Sequence, residues 1–518
     1  MQEFRAPVSI PGRPVRRQEQ ANRVLAAKST HPEETLTQYE NGPVRRKRWW
    51  ALLVLCLGVL MIVLDTTVVN VALPSIRSDL KFTEASLVWV VNAYMLTFGG
   101  FLLLGGRLGD LWGPRRVFLG GIALFTLASL ACGVATSQTL LIAARAVQGL
   151  GGAVVSAVAL SLIMNLFTEP GERAKAMGVY GFVCAGGGSV GVLLGGLLTS
   201  LFNWHWIFLV NLPIGIGVAA LTMGLIAPSK GQATQRLDWG GAATITLSLM
   251  LAVYGIVDGN QAGWGSAQTL GLLGAAAVLL GVFIAIEARI AQPLMPLSLF
   301  RHRNLAVANI AGVLWVAAMF AWFFMSALYM QLVLGYTPMQ VGLAFLPGNL
   351  VMAFLSLGAS AKIVMRFGIR RPLAGGLLVA AVGLALFARA PVGGNFAIDV
   401  LPAMVLLGLG AGVAFNPLLL AAMNDVGPQD SGLASGVVNT SFMMGGALGL
   451  AVLASLAVAR TAAVQSGGGE AIAALNAGYQ LAFAIGAVFA AFAGALGYVV
   501  MHEPAAAAAS GAAAARHR

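Results

Sequence analysis

The chain has 518 residues, of which 58% are hydrophobic and only 10% charged, and its mean hydropathy is +0.84. Soluble domains carry about a quarter charged residues, so this composition excludes a soluble enzyme or binding module and turns most of the surface toward lipid. The formal net charge of +12 lies in a terminal tail and in short loops, which reads as a membrane-topology signal and not as a nucleic-acid footprint.

Residues 1–48 are polar and are expected to form a disordered basic cytoplasmic tail. The tail ends in Arg45-Arg46-Lys47-Arg48 against Trp49-Trp50, a basic cluster and aromatic pair that mark the cytoplasmic end of a first helix. The apolar run continues to Pro74, too long for a signal-peptide core. A hydrocarbon core about 30 Å thick needs roughly twenty helical residues at about 1.5 Å each. Stretches that approach or meet this length predict fourteen helices, over 49–74, 85–105, 116–136, 139–165, 176–201, 206–227, 239–258, 268–288, 304–332, 338–361, 372–389, 400–422, 433–458 and 477–501. A short cytoplasmic tail, 502–518, follows. With the N-terminus inside, Arg77, Lys81, Arg389 and Arg460 are the basic residues left outside and Arg145 the one within a helix. All the others fall on the cytoplasmic side, which implies an even number of spans in a bacterial inner membrane with both ends cytoplasmic.

An internal repeat organises these helices. Gly106-Arg-Leu-Gly-Asp110-Leu-Trp-Gly113-Pro-Arg115-Arg116 follows the second helix, and Ala361-Lys-Ile-Val-Met365-Arg-Phe-Gly368-Ile-Arg370-Arg371 follows the tenth. The offset of 255 residues between Gly113 and Gly368 suits six helices plus an inserted pair. The expected fold is an all-α membrane protein of two six-helix bundles, 49–228 and 301–501, with two extra helices in 229–300 and a midplane cavity between the bundles.

Several residues are candidates for function. In the first repeat copy, Gly106 permits close helix approach, Gly113 forces a turn, and Asp110 with Arg115 and Arg116 is able to lock and release two helices; a plain tight turn with inside-positive charge is the alternative. Met365 replaces the acid in the second copy, so only the first makes the full charged lock. Asp65 lies about 22 Å along the first helix from Trp50. A carboxylate at that depth is costly unless paired or wet, so Asp65 is expected to face a cavity and take up a proton; an Asp hydrogen-bonded to Thr66, Thr67 or Asn70 is the structural alternative. Arg145 is similarly expensive, with Gln148 and Gly152 on its face, and either pairs with Asp65, lines the cavity or is a buried structural cation. On the ninth helix Trp315, Met319, Trp322, Ser326 and Tyr329 share one face suited to bulky hydrophobic or cationic compounds, or to ordinary packing. Trp89 and Asn92 form a weaker stripe on the second helix, with Tyr94 off it.

Other chemistries are excluded. The chain has no Gly-Lys pair for a phosphate-binding loop and no His-Glu-x-x-His. Cys56, Cys132 and Cys184 fall in apolar segments without metal-ligand spacing. No cofactor, metal or nucleic-acid partner is expected.

Residues 50–500 resemble the major facilitator superfamily, specifically its drug:proton antiporters with fourteen spanning segments. Gly106-x-x-x-Asp110-x-x-Gly113-x-Arg115 is similar to the family's cytoplasmic-gate motif, and Leu64–Pro74 to the first-helix motif of the drug-efflux branch. Arg145-Ala-Val-Gln148-Gly149-Leu-Gly151-Gly152 resembles the fourth-helix motif, whose Arg the family links to proton coupling. Trp204–Gly215 and Leu237-Asp238-Trp239-x-Gly241 resemble signatures of the fourteen-helix members. The resemblance implies a non-enzymatic multidrug exporter that exchanges small hydrophobic or amphiphilic molecules for protons. One departure stands out: Gly187, Gly191, Gly195 and Gly196 match the fifth-helix antiporter motif, but Val192 replaces its proline and so removes a kink. That departure keeps open a metabolite importer or facilitator on the same fold, and a non-transporting membrane sensor is the more distant reading. The charge asymmetry has a direct check: tags fused to the two chain ends are expected to react only from the cytoplasmic side in sealed vesicles of defined orientation, and labelling from opposite sides contradicts an even number of spans.

Overall fold

In lipid every backbone N–H and C=O must find its partner within its own segment, so apolar stretches of this length form helices. A computed structural model of the chain describes residues 43–167, 169–228, 238–290, 293–295, 297–423 and 431–502. The helices are α1 Pro43–Leu80, α2 Trp89–Trp112, α3 Pro114–Gly133, α4 Gln138–Leu166, α5 Pro170–Leu201, α6 Asn211–Leu225, α7 Trp239–Ala262, α8 Ala267–Glu287, α9 Arg303–Leu328, α10 Pro338–Phe354, α11 Arg370–Phe387, α12 Leu401–Met423, α13 Ser431–Ser466 and α14 Ala471–Val500. A wider turn, Tyr329–Val333, extends α9, and α10 continues through Leu355–Ala359 into Ser360–Phe367. Side-chain caps start several of them: Ser137 on α4, Asp238 on α7, Ser266 on α8 and a Thr337–Gln340 capping box on α10.

Among the described residues, eleven helices are long and apolar enough to cross a membrane, and Trp89–Leu102, Val190–Leu201 and Pro338–Phe354 are shorter apolar helices. Several expected boundaries need correction: the second helix runs on to Trp112, the fifth begins at Pro170, the tenth continues to Phe367 and the fourteenth begins at Ala471. The first helix begins at Pro43, so Pro43–Arg48 is helical and not a disordered tail, and it passes Pro74 to end at Leu80. The thirteenth runs on to Ser466. In both cases the hydrogen-bonded ladder continues beyond the apolar run that hydropathy detects. Residues 1–42 and 503–518, the rest of the two expected tails, lie outside the described residues. Among the described residues, those up to Ala51 belong to one unit and those from Leu52 onward to another; the features below belong to the second.

Helices α1 to α6 pack on one another, as do α9 to α14. In the first set α4 lies against α2 and α3, and α3 against α6; Gly58 of α1 closes on Phe118 of α3 and Val218 of α6. In the second, α9 packs on α13 and α14, α11 on α12 and α14, and α10 on α12. Two pairs bridge the sets, α2 with α13 and α5 with α10, while α7 rests on α8, α2 and α13.

The repeat seen in sequence is a repeat of structure. Gly113 and Gly368 both turn the chain through positive φ, +89° and +76°, where a Cβ is strained. Just beyond each turn an arginine reaches the end of the last helix of its own set. Arg115 Nη2 donates to the Met223 carbonyl of α6 at 2.7 Å, and Arg370 Nε donates to the Tyr498 carbonyl of α14 at 2.9 Å, with Nη2 on the same oxygen. Last-turn carbonyls have no partner within their own helix, so both arginines act as C-terminal caps.

Hydrogen bonds between the two sets lie on the side away from the Gly113 turn. Gln331 Nε2 donates to the Val71 carbonyl (2.8 Å) and the Met339 N–H to Ser200 Oγ (3.1 Å). Deeper in, Asn92 Nδ2 donates to the Ala447 carbonyl at 3.0 Å. Gly196 of α5 meets α10 so closely that a Cβ would stand 2.6 Å from the Pro338 carbonyl.

Candidate functional site

The two ionised groups that hydropathy left inside helices meet. Asp65 on α1 is 0% exposed and Arg145 on α4 is 1% exposed, and Arg145 Nη1 donates to Asp65 Oδ2 at 2.5 Å. Gln148 shares the α4 face three residues on; its Oε1 accepts from Arg145 Nη1 at 2.6 Å and its Nε2 donates to Asp65 Oδ1 at 2.7 Å. The carboxylate also accepts from Asn211 Nδ2 of α6 at 3.1 Å. Ser129 of α3 closes the ring, its Oγ accepting from Gln148 Nε2 (2.7 Å) and Asn211 Nδ2 (3.4 Å). Helix α2 holds the arginine from the other side: Nε donates to the Val90 carbonyl at 2.9 Å, and the guanidinium lies 4.3 Å from the Tyr94 ring centroid. The Phe208 ring stands 5.6 Å away.

Two local features bring these groups together. A Cβ on Gly149 would overlap the Tyr94 carbonyl, so glycine there lets α4 approach α2 closely enough for Arg145 to reach Val90. The sixth span runs from Trp206 to Leu225 with its backbone still helical at Val210 (φ −61°, ψ −24°), and carries Asn211 in its second turn beside Asp65. Pro213 within it has no N–H to give the Leu209 carbonyl.

Five helices converge on one carboxylate, and each of its oxygens accepts from the protein. All its partners are donors. When Asp65 carries a proton it needs an acceptor, which rotation of the Asn211 amide supplies. Arg145 then keeps the Val90 carbonyl, Gln148 and the Tyr94 ring. The arrangement is thus able to hold Asp65 in either charge state, with different helices drawn in.

The other sequence candidates are distributed more widely. Thr66, Thr67 and Asn70 bond carbonyls of their own helix, at Val63, Leu64 and Thr66. In the loop, Gly106 is helical and half-buried, Gly113 is buried, Arg115 caps α6 and Arg116 is exposed; the Asp110 side chain lies outside what the structure describes. Gly187, Gly191 and Gly195 press on Leu60, Val63, Leu64 and Val68 of α1, whereas Gly196 faces α10. Val192 is buried between these contacts, its carbonyl against Gly342.

On α9, Trp315, Trp322, Ser326 and Tyr329 are fully buried and Met319 half-buried. Ser326 Oγ donates to the Trp322 carbonyl at 2.6 Å and Tyr329 OH to the Pro391 carbonyl at 2.8 Å. The indole N–H groups of Trp315 and Trp322 have no hydrogen-bond partner among the described residues. Trp89 lies 6.3 Å from Tyr254 of α7, and Asn92 and Gln148 are held as described above. Sequence reasoning missed Tyr94, Ser129 and Asn211; the available signal was a polar side chain inside an apolar helix, and for Asn211 its place within the Trp204–Gly215 signature.

Residues 55–450 match the family model of the Major Facilitator Superfamily. The puromycin resistance protein pur8 of Streptomyces alboniger is 40% identical over 453 residues, 87% of this chain and 89% of that protein. The cephamycin export protein CmcT of Amycolatopsis lactamdurans is 41% identical over 407 residues, 78% and 84% of the two chains. A crystal structure of a bacterial homologue of the human lysosomal transporter Spinster, inward-facing and unoccupied, is similar in fold, with a TM-score of 0.61 and 17% identity over 88% of this chain and 97% of that one.

Removing one member of a buried ion pair costs about 3–5 kcal/mol because the other charge is stranded. Arg145→Ala is therefore expected to lower the melting temperature of the purified protein strongly, and Asp65→Asn in that background to restore part of it. Additive losses in the double variant contradict the pairing.

Proposed function

The chain belongs to the Major Facilitator Superfamily, and from that premise we propose that it exports hydrophobic or amphiphilic small molecules, antibiotics among them, by proton antiport with alternating access. It is a membrane transporter and not an enzyme. Relatives named for puromycin resistance and cephamycin export, similar along most of their length, support the substrate class. The observation that carries the coupling is the buried Asp65–Arg145 pair.

A proton reaching Asp65 removes the charge that Arg145, Gln148 and Asn211 share. Helices α1, α4 and α6 then change how tightly they hold one another, which is a differential interaction of the kind a conformational shift requires. One elementary charge moving inward through 100 mV releases about 2.3 kcal/mol, enough to support a modest substrate gradient. In this reading the chain has fourteen spans with both ends in the cytoplasm, two six-helix bundles and an inserted pair. The side sealed by Gln331, Ser200 and Gly196 is then the outer one, and the cavity opens inward. Asp110, Arg115 and Arg116 close the cytoplasmic side in the opposite state, Arg115 exchanging its hold on α6 for the gate. Met319 and Trp89, both half-buried, offer the substrate a soft and an aromatic contact, with Trp315, Trp322 and Asn92 packed behind them until the helices part.

The test uses puromycin as probe in inside-out vesicles energised by a proton gradient. Wild type is expected to accumulate it and to stop on addition of an uncoupler. Asp65→Asn is expected to bind it but to lose at least about tenfold of the uphill uptake, a gap of some 1.4 kcal/mol in driving capacity. Undiminished gradient-driven uptake by Asp65→Asn contradicts the proposal.

A further inference from the structure

Helices α7 and α8 have no part in the mechanism above, yet two acids meet where α7 begins and α8 ends. Asp238 is 5% exposed and Glu287 4% exposed. Asp238 caps α7, its Oδ1 accepting from the Gly241 N–H at 2.7 Å. Glu287, the last residue of α8, accepts at Oε2 from the Met295 N–H at 2.9 Å, in the segment that leads into α9. The remaining oxygens, Asp238 Oδ2 and Glu287 Oε1, are buried and make no hydrogen bond of good geometry with any described residue, the Leu294 N–H being the other backbone group turned toward Glu287. Both lie against Gly241, where a Cβ would overlap Asp238 Oδ2 and stand 2.7 Å from Glu287 Oε1, so the two carboxyl groups face each other across that glycine.

Among the described residues the surroundings are mostly apolar. Leu104 of α2 packs with Ala242 of α7 and Leu294, with Phe101 alongside, and Met444 of α13 packs with Ile245 and Phe283. Arg289, two residues beyond Glu287, is exposed. Arg107, one turn past Leu104 on α2, is half-buried and has a contact of its own. Among the described residues Asp238 is the charged group that acts on Glu287. Two bare carboxylates in such a pocket repel, and their facing oxygens are both acceptors. A single proton between them converts the repulsion into a short, charge-assisted O–H···O bond.

We propose that Asp238 and Glu287 form a second proton-binding site, sharing one proton that fastens the start of α7 to the end of α8 and, through Met295, to the segment entering α9. The site lies on the side of the Gly113 turn, because α7 follows the α6 end that Arg115 caps. When the proton leaves, two negative charges face each other and the fastening opens. The inserted pair thus responds to pH on that face of the membrane, independently of Asp65. The sign follows from linkage: the folded site holds a proton that the exposed acids of the unfolded chain give up, so its stabilisation is present at low pH and is lost as pH rises.

The test is thermal melting of the full-length protein in lipid nanodiscs between about pH 5.5 and about pH 9, with carboxyl infrared spectra of the same samples. Glu287→Gln keeps a permanent N–H donor toward Asp238. From low to high pH, wild type and Asp65→Asn are expected to lose at least about 3 °C more than Glu287→Gln. A protonated-carboxyl band that titrates over this range is expected in wild type and Asp65→Asn and is absent from Glu287→Gln and Asp238→Asn. Parallel melting curves, a band that survives both substitutions at the pair, or a wild-type melt raised at high pH by sodium or calcium but not in Glu287→Gln would overturn the proposal, the last by making the ligand a metal cation. If neither substituted protein folds, the Asp65→Asn spectrum decides: a titrating band sustains the site and its absence ends it.

Discussion

A charge inside a bilayer has to be neutralised close at hand, and the ion pair between Asp65 and Arg145 is where this protein meets that demand. The pair sits on α1 and α4, so those helices must approach, and Gly149 together with the Val90 carbonyl and the Tyr94 ring shows how α2 is fitted around them. The sixth span brings Asn211 to the same carboxylate. Features that look unrelated along the chain therefore have one cause. They also make the pair the most sensitive point of the first helix set, because a change of one proton there alters what five helices share.

The two sets are related but not equivalent. Each has a positive-φ glycine turn followed by an arginine that caps its last helix, Arg115 on Met223 and Arg370 on Tyr498. Among the described residues, the buried ion pair lies in the first set, between α1 and α4. That asymmetry supports a division of labour in which the first set handles the proton and the second offers the apolar and aromatic surface of α9. The inserted helices add a second titratable position at Asp238 and Glu287, next to the connection between the sets.

Much of this was legible in the sequence, for physical reasons that also explain what was not. Helices were legible because lipid leaves an apolar segment almost no alternative, and the repeat was legible because a positive-φ turn demands glycine at 113 and again at 368. Asp65 and Arg145 stood out because charge is expensive in hydrocarbon, but their meeting depends on helix rotation, which spacing within one helix does not specify. Tyr94, Ser129 and Asn211 were passed over because neutral polar side chains are cheap enough in a helix to need no special partner. On α9 the residues placed on one face by their spacing are mostly buried, and Ser326 and Tyr329 bond to backbone carbonyls; periodicity gives the direction of a side chain and not what covers it. Helix ends at Pro43 and Ser466 escaped hydropathy because the hydrogen-bonded ladder outlasts the apolar run.

The central claim is that one carboxylate both answers the buried arginine and carries the coupled proton. Its most direct measurement is the pH change when puromycin is added to the purified protein in weakly buffered detergent solution, with no membrane gradient present. Wild type is expected to release protons in proportion to the puromycin bound, and Asp65→Asn to bind without release. Equal proton release from both proteins would place the coupled proton elsewhere and contradict the account.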